Sequence, residues 1–184
     1  MADPESNLSH LEDVLGYRFR QRNLLRRALE HSSHSADHNE RLEFLGDALI
    51  GFVIGDVMYR RYPDFDESRL SPLRSGVVNM RALADIARGL QLGQYIRLGK
   101  GEEVTNGRDK NSLLADALEA LIGAIYLQFG FAKCTEIVRD LITPTMDSAV
   151  ARGAGLDGKT ALQELAASLG KGAPEYIVSE EGPD

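Results

Sequence analysis

Two apolar segments that repeat one acidic pattern constrain this fold more than any other feature of the chain. Residues 40–45 read ERLEFL and residues 116–121 read DALEAL, so both follow the order acid, any residue, Leu, Glu, any residue, Leu. Each motif opens a long stretch with helical hydrophobic period, whose apolar side chains would face a core. A fold that buries both helices must therefore place carboxylates beside its core, where unpaired charges are costly.

In the first of these helices the acids lie along one edge. At about 100° per residue, Glu40, Glu43 and Asp47 fall within roughly 60° of one another. The same edge continues with Gly51 and Ile54, whereas a solvated face would continue with charged or amide side chains. The pattern predicts a half-buried acidic edge.

The second helix carries Asp116 and Glu119 on one face, followed on that face by Gly123, which permits another backbone to approach closely. If the two helices cross face to face, these acids join Glu43 and Asp47 in a cluster with a formal charge of about −4 at neutral pH. Two divalent cations would neutralise this cluster, and hard oxygen ligands favour Mg²⁺ or Mn²⁺ over zinc. Such a two-metal site is suited to in-line attack on a phosphodiester.

Spacing alone leaves a second interpretation of these acids open. They could be ordinary helix-surface carboxylates paired with arginines such as Arg41 and Arg108, since exposed ion pairs are common and contribute little to stability. Two matching pairs in apolar helices favour the metal site without excluding this alternative.

The other long segments also have helical period, separated by Gly, Pro, Asn and Asp, and predict an all-α body over residues 1–149. Within it, residues 97–110 are expected to form a polar loop, and the last helix to end or bend near Pro144. Residues 150–157 are small and glycine-rich, as in a linker. Residues 158–184 then predict one helix and one strand, the start of an α+β domain that this sequence does not complete.

Charge and cysteine content narrow the classes of function. A net charge of −7 would count against nucleic-acid binding, unless the acids serve as metal ligands. The single cysteine, Cys134, cannot form an internal disulfide, and the acidic N-terminus is unlike a signal peptide. No apolar run is expected to reach the roughly 20 residues of a membrane span. These features predict a cytoplasmic protein that does not act at a membrane.

Several motifs, in order, closely resemble those of the ribonuclease III family. NERLEFLGDAL, residues 39–49, resembles the family signature. LGYRFRQRNLLRRALEHSS resembles its opening helices, DESRLSPLRSGVVN its next block, and LGKGEEVTNGRDKNSLLADALEALIGAIYL its second catalytic block. The tail from Asp157 is similar to the first helix and strand of the double-stranded-RNA-binding domain of bacterial members. The resemblance implies the all-α ribonuclease III endonuclease-domain fold, followed by the start of that α+β domain.

The resemblance also implies an activity. Members of this family are Mg²⁺-dependent endoribonucleases, in which Mn²⁺ can substitute, and they hydrolyse double-stranded RNA to 5′-phosphate and 3′-hydroxyl ends with short 3′ overhangs. Expected substrates are ribosomal RNA precursors and some messenger RNAs. The nuclease domain is expected to form a homodimer whose valley holds the duplex, each subunit cutting one strand. No nucleotide cofactor is expected.

Residue by residue, the resemblance implies roles for the four clustered acids. Glu43, Asp47, Asp116 and Glu119 match the metal-binding carboxylates of the family. Asp47 and Glu119 match the pair most directly tied to catalysis.

Further positions match the family outside that cluster. Glu40 and Glu67 match acids at the edge of the cleavage site, and Phe44 matches an aromatic residue that inserts into the partner subunit. Gln163 falls where the first helix of the RNA-binding domain reads the minor groove, consistent with recognition of duplex shape and 2′-hydroxyl groups. Glu30 departs from the pattern, since the family usually has a threonine before the histidine of its opening motif.

Other interpretations of single motifs are weaker. GAGLDGKT, residues 153–160, fits the Walker A pattern, but the segment before it reads as a helix end and not as the buried strand that a phosphate-binding loop requires. His31, His34 and His38 lack the Glu-x-x-His spacing of di-iron bundles, so a polar loop is favoured.

The main alternative from another class is a protein with this fold that binds duplex RNA without cutting it. A member without activity would be expected to have lost metal ligands. All four acids are present, so an active nuclease is favoured.

Overall fold

The computed structural model describes residues 4–151, 162–163, 166–172 and 174. The helices within residues 4–151 are α1 (Pro4–Leu15), α2 (Arg22–Ala28), α3 (Glu40–Arg61), α4 (Glu67–Val77), α5 (Met80–Gly89), α6 (Lys100–Val104), α7 (Asn111–Phe129) and α8 (Phe131–Ala151). Single 3₁₀ turns lie at Leu92–Gln94 and Gly107–Asp109. No strand is present in the described residues, where Glu30 and Arg97 form an isolated β-bridge. The all-α prediction is confirmed.

Helix α7 lies at the centre of the core. It packs most extensively against α3 and also contacts α2, α5 and α8. Its buried side chains and glycine are Leu113, Leu114, Ala115, Ala117, Leu118, Ala120, Leu121, Ile122, Gly123, Ala124 and Ile125. A helix covered on so many sides is usually apolar all round. The partly buried carboxylates of α7 are therefore unusual.

The central position of α7 also explains its length and hydrophobicity. By these two measures Asn111–Phe129 would be long and apolar enough to cross a membrane, which the sequence analysis did not expect. Most of this helix is buried by other helices of the same chain. Its composition is therefore accounted for by the core.

Two glycines allow α3 and α7 to touch backbone to backbone. A Cβ atom added to Gly46 would overlap the carbonyl oxygen of Glu119, and one added to Gly123 would overlap the carbonyl oxygen of Leu42. The Cβ at Gly123 would also lie 3.4 Å from the backbone nitrogen of Gly46. The close approach predicted at Gly123 is present, and it occurs next to the acidic residues of both helices.

The segment 97–110 is more ordered than the predicted polar loop. It contains α6 and a 3₁₀ turn because its charged side chains satisfy local backbone and side-chain groups. The Arg108 guanidinium donates to the carbonyl oxygens of Gly93 at 3.0 Å and Ile96 at 2.7 Å, and Lys110 donates to Glu102 at 2.7 Å.

Helix α8 does not end at Pro144. It continues to Ala151, so the first two residues of the predicted linker are helical. Proline removes the N–H that would bond the carbonyl of Asp140, but Asp140 is exposed, and water can satisfy that oxygen.

Only parts of the predicted second domain lie within the described residues. Gln163 is exposed and in helical conformation. The predicted strand and the GAGLDGKT segment, residues 153–160, lie outside the described residues. The domain boundary therefore stays a prediction.

We expect Gly46→Ala to separate α3 from α7 and to lower the free energy of unfolding by about 2 kcal/mol or more, because the added methyl group meets backbone atoms that cannot move alone. Gly89→Ala is the matched control, since a Cβ at Gly89 has no atom within 4 Å. Urea denaturation of both variants checks this. Equal midpoints for the two variants would contradict the close contact at Gly46.

Candidate metal centre

The contact between α3 and α7 places acids from both helices together. Glu43 lies about one turn before Gly46 on α3, and Asp47 follows Gly46 directly. On α7, Glu119 supplies the carbonyl oxygen that approaches Gly46, with Asp116 one turn earlier. The backbone contact therefore sets the separation of these side chains.

Three of the four predicted ligands form a compact group. Carboxylate oxygens of Glu43, Asp116 and Glu119 all lie within 4.8 Å of one another. Each of these residues is half-buried. Asp47 is exposed and is not part of this group, although its charge acts on Glu119.

Burial and mutual repulsion make these carboxyl groups hard to ionise. Burial, followed by the charges of Asp47, Asp116 and Glu43, raises the pKa of Glu119 to about 7. Burial also raises the pKa of Glu43, with further increases from Asp116, Glu40 and Asp47. At neutral pH the site therefore favours a bound proton or a bound cation.

Asp116 is subject to one opposing charge. Burial raises the pKa of this carboxyl, and the charge of Glu40 adds to the rise. The imidazole of His31 acts in the other direction and lowers it. His31 is therefore close enough to influence the acidic group electrostatically.

The alternative in which arginines pair with these acids is wrong for the part of the chain that the structure describes. Arg108 bonds Glu103 and backbone carbonyls, and Arg41 is exposed without an ion pair. No lysine or arginine among the described residues forms an ion pair with the four acids of the cluster. The basic side chains that act on these acids are imidazoles: His31, whose charge acts on Asp116, and His38, which lies 3.8 Å from Glu40.

The donor set fits a hard divalent cation. Mg²⁺ binds oxygen ligands octahedrally at about 2.1 Å, so its adjacent ligands stand about 3.0 Å apart and its opposite ligands about 4.2 Å apart. The three carboxylate oxygens, all within 4.8 Å of one another, would have to move closer together to share one ion. The group contains no histidine or cysteine, the ligands that zinc prefers. A cation here would also replace the proton that Glu119 otherwise retains.

The structure places the remaining predicted residues around or outside this group. Glu40, the first residue of α3, is exposed, and its charge acts on Glu43 and Asp116. Glu67 is exposed at the start of α4 and is not among the charges that shift the pKa of the cluster.

Sequence reasoning missed two features near the cluster. The sequence predicts a polar loop for His31, whereas its charge acts on Asp116 and lowers the pKa of that carboxyl. Glu30, where that motif usually has threonine, is buried and pairs with Arg97 at 3.0 Å. Helical spacing could not predict this pair, since 67 positions separate its members.

The family model described as Ribonuclease-III-like matches residues 21–146, which include the whole acidic cluster. The chain belongs to the ribonuclease III family. Ribonuclease 3 of Thermobifida fusca is 55% identical over 166 residues, covering 88% of this chain and 69% of the relative. Ribonuclease 3 of Streptomyces coelicolor is 53% identical over 179 residues, covering 95% of this chain and 64% of the relative. The chain thus spans about two thirds of the length of these relatives.

Solved structures show the same nuclease fold. The nuclease domain of ribonuclease III from Campylobacter jejuni is 43% identical, with a TM-score of 0.72, and covers 76% of this chain and 95% of that domain. A second structure of that nuclease domain is 44% identical, with a TM-score of 0.71. Ribonuclease III family membership makes this chain an endoribonuclease by class and implies the use of a divalent metal.

We expect Glu119→Gln to stabilise the metal-free protein at pH 8 and to have little effect at pH 5. The folded-state pKa of Glu119, about 7, exceeds the ordinary value of 4.5, so folding retains a proton that the unfolded chain releases between these values. The stability contributed by this group falls as pH rises through that window. Solvent screening of the half-buried group reduces the penalty to on the order of 1 kcal/mol, or about 2–4 °C in melting temperature.

Thermal unfolding in the presence of a chelator checks this expectation. Asp140→Asn, a change at an exposed acid of α8, is the control and should give the same shift at both pH values. A Glu119→Gln shift that does not depend on pH would contradict the raised pKa.

Proposed function

We propose that this protein is a Mg²⁺-dependent endoribonuclease that hydrolyses double-stranded RNA, leaving 5′-phosphate and 3′-hydroxyl ends with short 3′ overhangs. The observation that carries the proposal is the compact group formed by Glu43, Asp116 and Glu119, which forms no ion pair with a lysine or arginine among the described residues. Membership of the ribonuclease III family supports RNA as the substrate. Processing of ribosomal RNA precursors and some messenger RNAs in the cytoplasm belongs to the same proposal and rests on family membership.

In this mechanism Glu43, Asp116 and Glu119 hold the metal, and Asp47 and Glu119 are the acids most directly tied to catalysis. A bound divalent ion lowers the pKa of a water nucleophile and neutralises charge on the phosphate. The carboxylate of Asp47 is exposed, and its charge acts on the half-buried Glu119, so Asp47 is the acid proposed to meet the substrate. Exposed Glu40 and Glu67 are proposed to act at the edge of the cleavage site.

Affinity for the duplex is proposed to come from surfaces other than the acidic cluster, because a carboxylate group repels phosphates. Exposed Gln163 is a proposed minor-groove contact in the second domain. Binding through basic side chains would weaken steeply with salt.

A homodimer is the second part of the proposal, and α3 supplies the surface. Phe44, Phe52 and Tyr59 are 78%, 63% and 73% exposed, and their spacing of seven or eight residues places them along one side of the helix. A Cβ at Gly51 or Gly55 has no atom within 4 Å, so this side has room for a closely packed partner. One Campylobacter jejuni nuclease domain is described as flexible in a region involved in dimer formation.

Incubation with a long, perfectly paired RNA tests the cleavage. We expect the parent protein to cut the RNA with Mg²⁺ and to leave it intact with a chelator. Glu119→Ala should reduce the rate at least about 100-fold, because it removes a carboxylate that holds the metal. Asp140→Ala is the control and should keep the parental rate, since Asp140 is an exposed acid on α8. Tight RNA binding without cutting by the parent would instead support the non-catalytic alternative.

We expect Phe44→Asp to weaken dimerisation by about 30-fold or more, as loss of a central aromatic anchor does, while the fold stays intact. Val104→Asp is the matched control, because Val104 is 87% exposed but lies on α6. Sedimentation velocity over a concentration series measures both variants. Equal dissociation constants for the two would contradict the assignment of this surface.

A further inference from the structure

The ion pair between the buried Glu30 and the half-exposed Arg97 joins the two chain segments that lead into the metal centre. Glu30 is 5% exposed, the lowest value for an acid other than Glu12 in the described residues. Its carboxylate lies 3.0 Å from the Arg97 guanidinium and 3.5 Å from Nε2 of His34. Nδ1 of His34 donates to the carbonyl oxygen of Leu98 at 3.0 Å, and its Nε2 accepts from the Arg97 guanidinium at 3.0 Å, so Arg97 is the side chain that bonds both Glu30 and His34. A buried carboxylate loses much of its stabilisation when its cationic partner is removed.

The first connection runs from Glu30 to the start of α3. The carbonyl oxygen of Glu30 accepts the N–H of Asn39 at 2.9 Å. The carbonyl oxygen of Asn39 in turn accepts the N–H of Glu43 at 2.9 Å. Two consecutive backbone hydrogen bonds therefore link Glu30 to one of the acids that would hold the metal.

The second connection runs from Arg97 towards α7. The backbone of Arg97 pairs with Leu29 and His31 at 2.8 and 3.1 Å, and the hydroxyl of Ser33 accepts the N–H of Gly99 at 2.9 Å. A Cβ at Gly99 would overlap the carbonyl oxygen of Ser33, so the two segments are in close contact.

From Gly99, the chain enters α6, which is tied to the start of α7. Gly99 precedes the first residue of α6, and Glu102 of that helix accepts from Lys110. The carbonyl oxygen of Lys110 accepts the N–H of Leu114 at the beginning of α7, two residues before Asp116. The pairing also holds His31 at the position from which its charge acts on Asp116.

We infer that Glu30 is a positioning residue of the metal centre, which, through its ion pair with Arg97, fixes the starts of α3 and α7 relative to each other. The glycine contact fixes the same two helices further along, at Gly46 and Gly123. Two points of attachment on either side of the acids determine both the distance and the angle between Glu43 and Asp116. The inference rests on the proposed metal-dependent function.

Glu12 provides a matched control. It is 1% exposed and accepts from Arg18 and Arg22 at 3.3 Å each, and from the backbone N–H of Phe19 at 2.7 Å. It is thus a carboxylate with a similar degree of burial and arginine partners, but its contacts lie in the α1–α2 region and do not lead to the acids. A general loss of stability should follow from substitution at either position.

The test compares Glu30→Gln with Glu12→Gln in the full chain. Binding of Mn²⁺ to the RNA-free protein is measured from the loss of the free-ion electron paramagnetic resonance signal. Cleavage of duplex RNA is measured over a Mg²⁺ series. We expect Glu30→Gln to weaken Mn²⁺ binding about 10-fold and to raise the Mg²⁺ requirement similarly, as loss of a supporting residue around a metal site does. Glu12→Gln should keep parental values for both, even if both variants melt at lower temperature.

A second pair of variants guards against misfolding of Glu30→Gln. The Arg97 side chain is about half exposed, so Arg97→Gln removes the same pairing with less disturbance of the core. Arg97→Lys keeps the charge and should recover most of the metal affinity. Parental metal binding in Arg97→Gln, or equal losses in Glu30→Gln and Glu12→Gln, would overturn the inference while the nuclease function stands. Absence of metal binding and cleavage in the parent would overturn both.

Discussion

The backbone contact between α3 and α7 determines where the rest of the site lies. Because Gly46 and Gly123 have no side chains, the helices approach until carbonyl oxygens of one face the glycines of the other. The acids follow from this contact by helix geometry, since Glu43 is about one turn before Gly46 and Glu119 about one turn before Gly123. Larger residues at these glycines would separate the helices, and the carboxylates would ionise independently in water. Packing of α3 against α7 therefore brings the acids together against their own repulsion.

Bringing these carboxylates together lowers the stability of the folded state, and the apolar core offsets this cost. Glu43, Asp116 and Glu119 all have raised pKa values, which means that the folded state disfavours their charged forms. The many buried apolar residues of α7 and its contacts with four other helices hold the acids in place despite this repulsion. A cation removes the penalty, so the same arrangement that destabilises the metal-free protein provides affinity for metal. This is the usual relation between a strained site and its function.

The parts of the fold and site that follow from local periodicity could be predicted, and those set by distant contacts could not. Helices α3 and α7 and the close approach at Gly123 are encoded within single helices, so spacing predicts them. The half-buried edge predicted on α3 is wrong for Glu40 and Asp47, which are exposed, and holds for Glu43. Order within residues 97–110 depends on Arg108, whose bonds to the carbonyls of Gly93 and Ile96 require a specific turn of the chain. Continuation of α8 past Pro144 requires that water satisfy the carbonyl oxygen of Asp140, which the proline leaves without an N–H partner. The pairing of Glu30 with Arg97 joins segments that no sequence period connects.

Helix α3 also couples the acidic site to the proposed dimer surface. Phe44 lies between Glu43 and Asp47 in sequence, and Asp47 is three residues beyond Phe44, on a neighbouring part of the same helical surface. A second copy that covers Phe44 would therefore also approach Asp47, which is exposed in the single chain. Removing water from this carboxylate would strengthen both its repulsion from the other acids and its attraction to a bound cation. Solvent screens charges, and this screening weakens as the carboxylate becomes less exposed. Assembly and metal binding should then reinforce each other through one turn of α3.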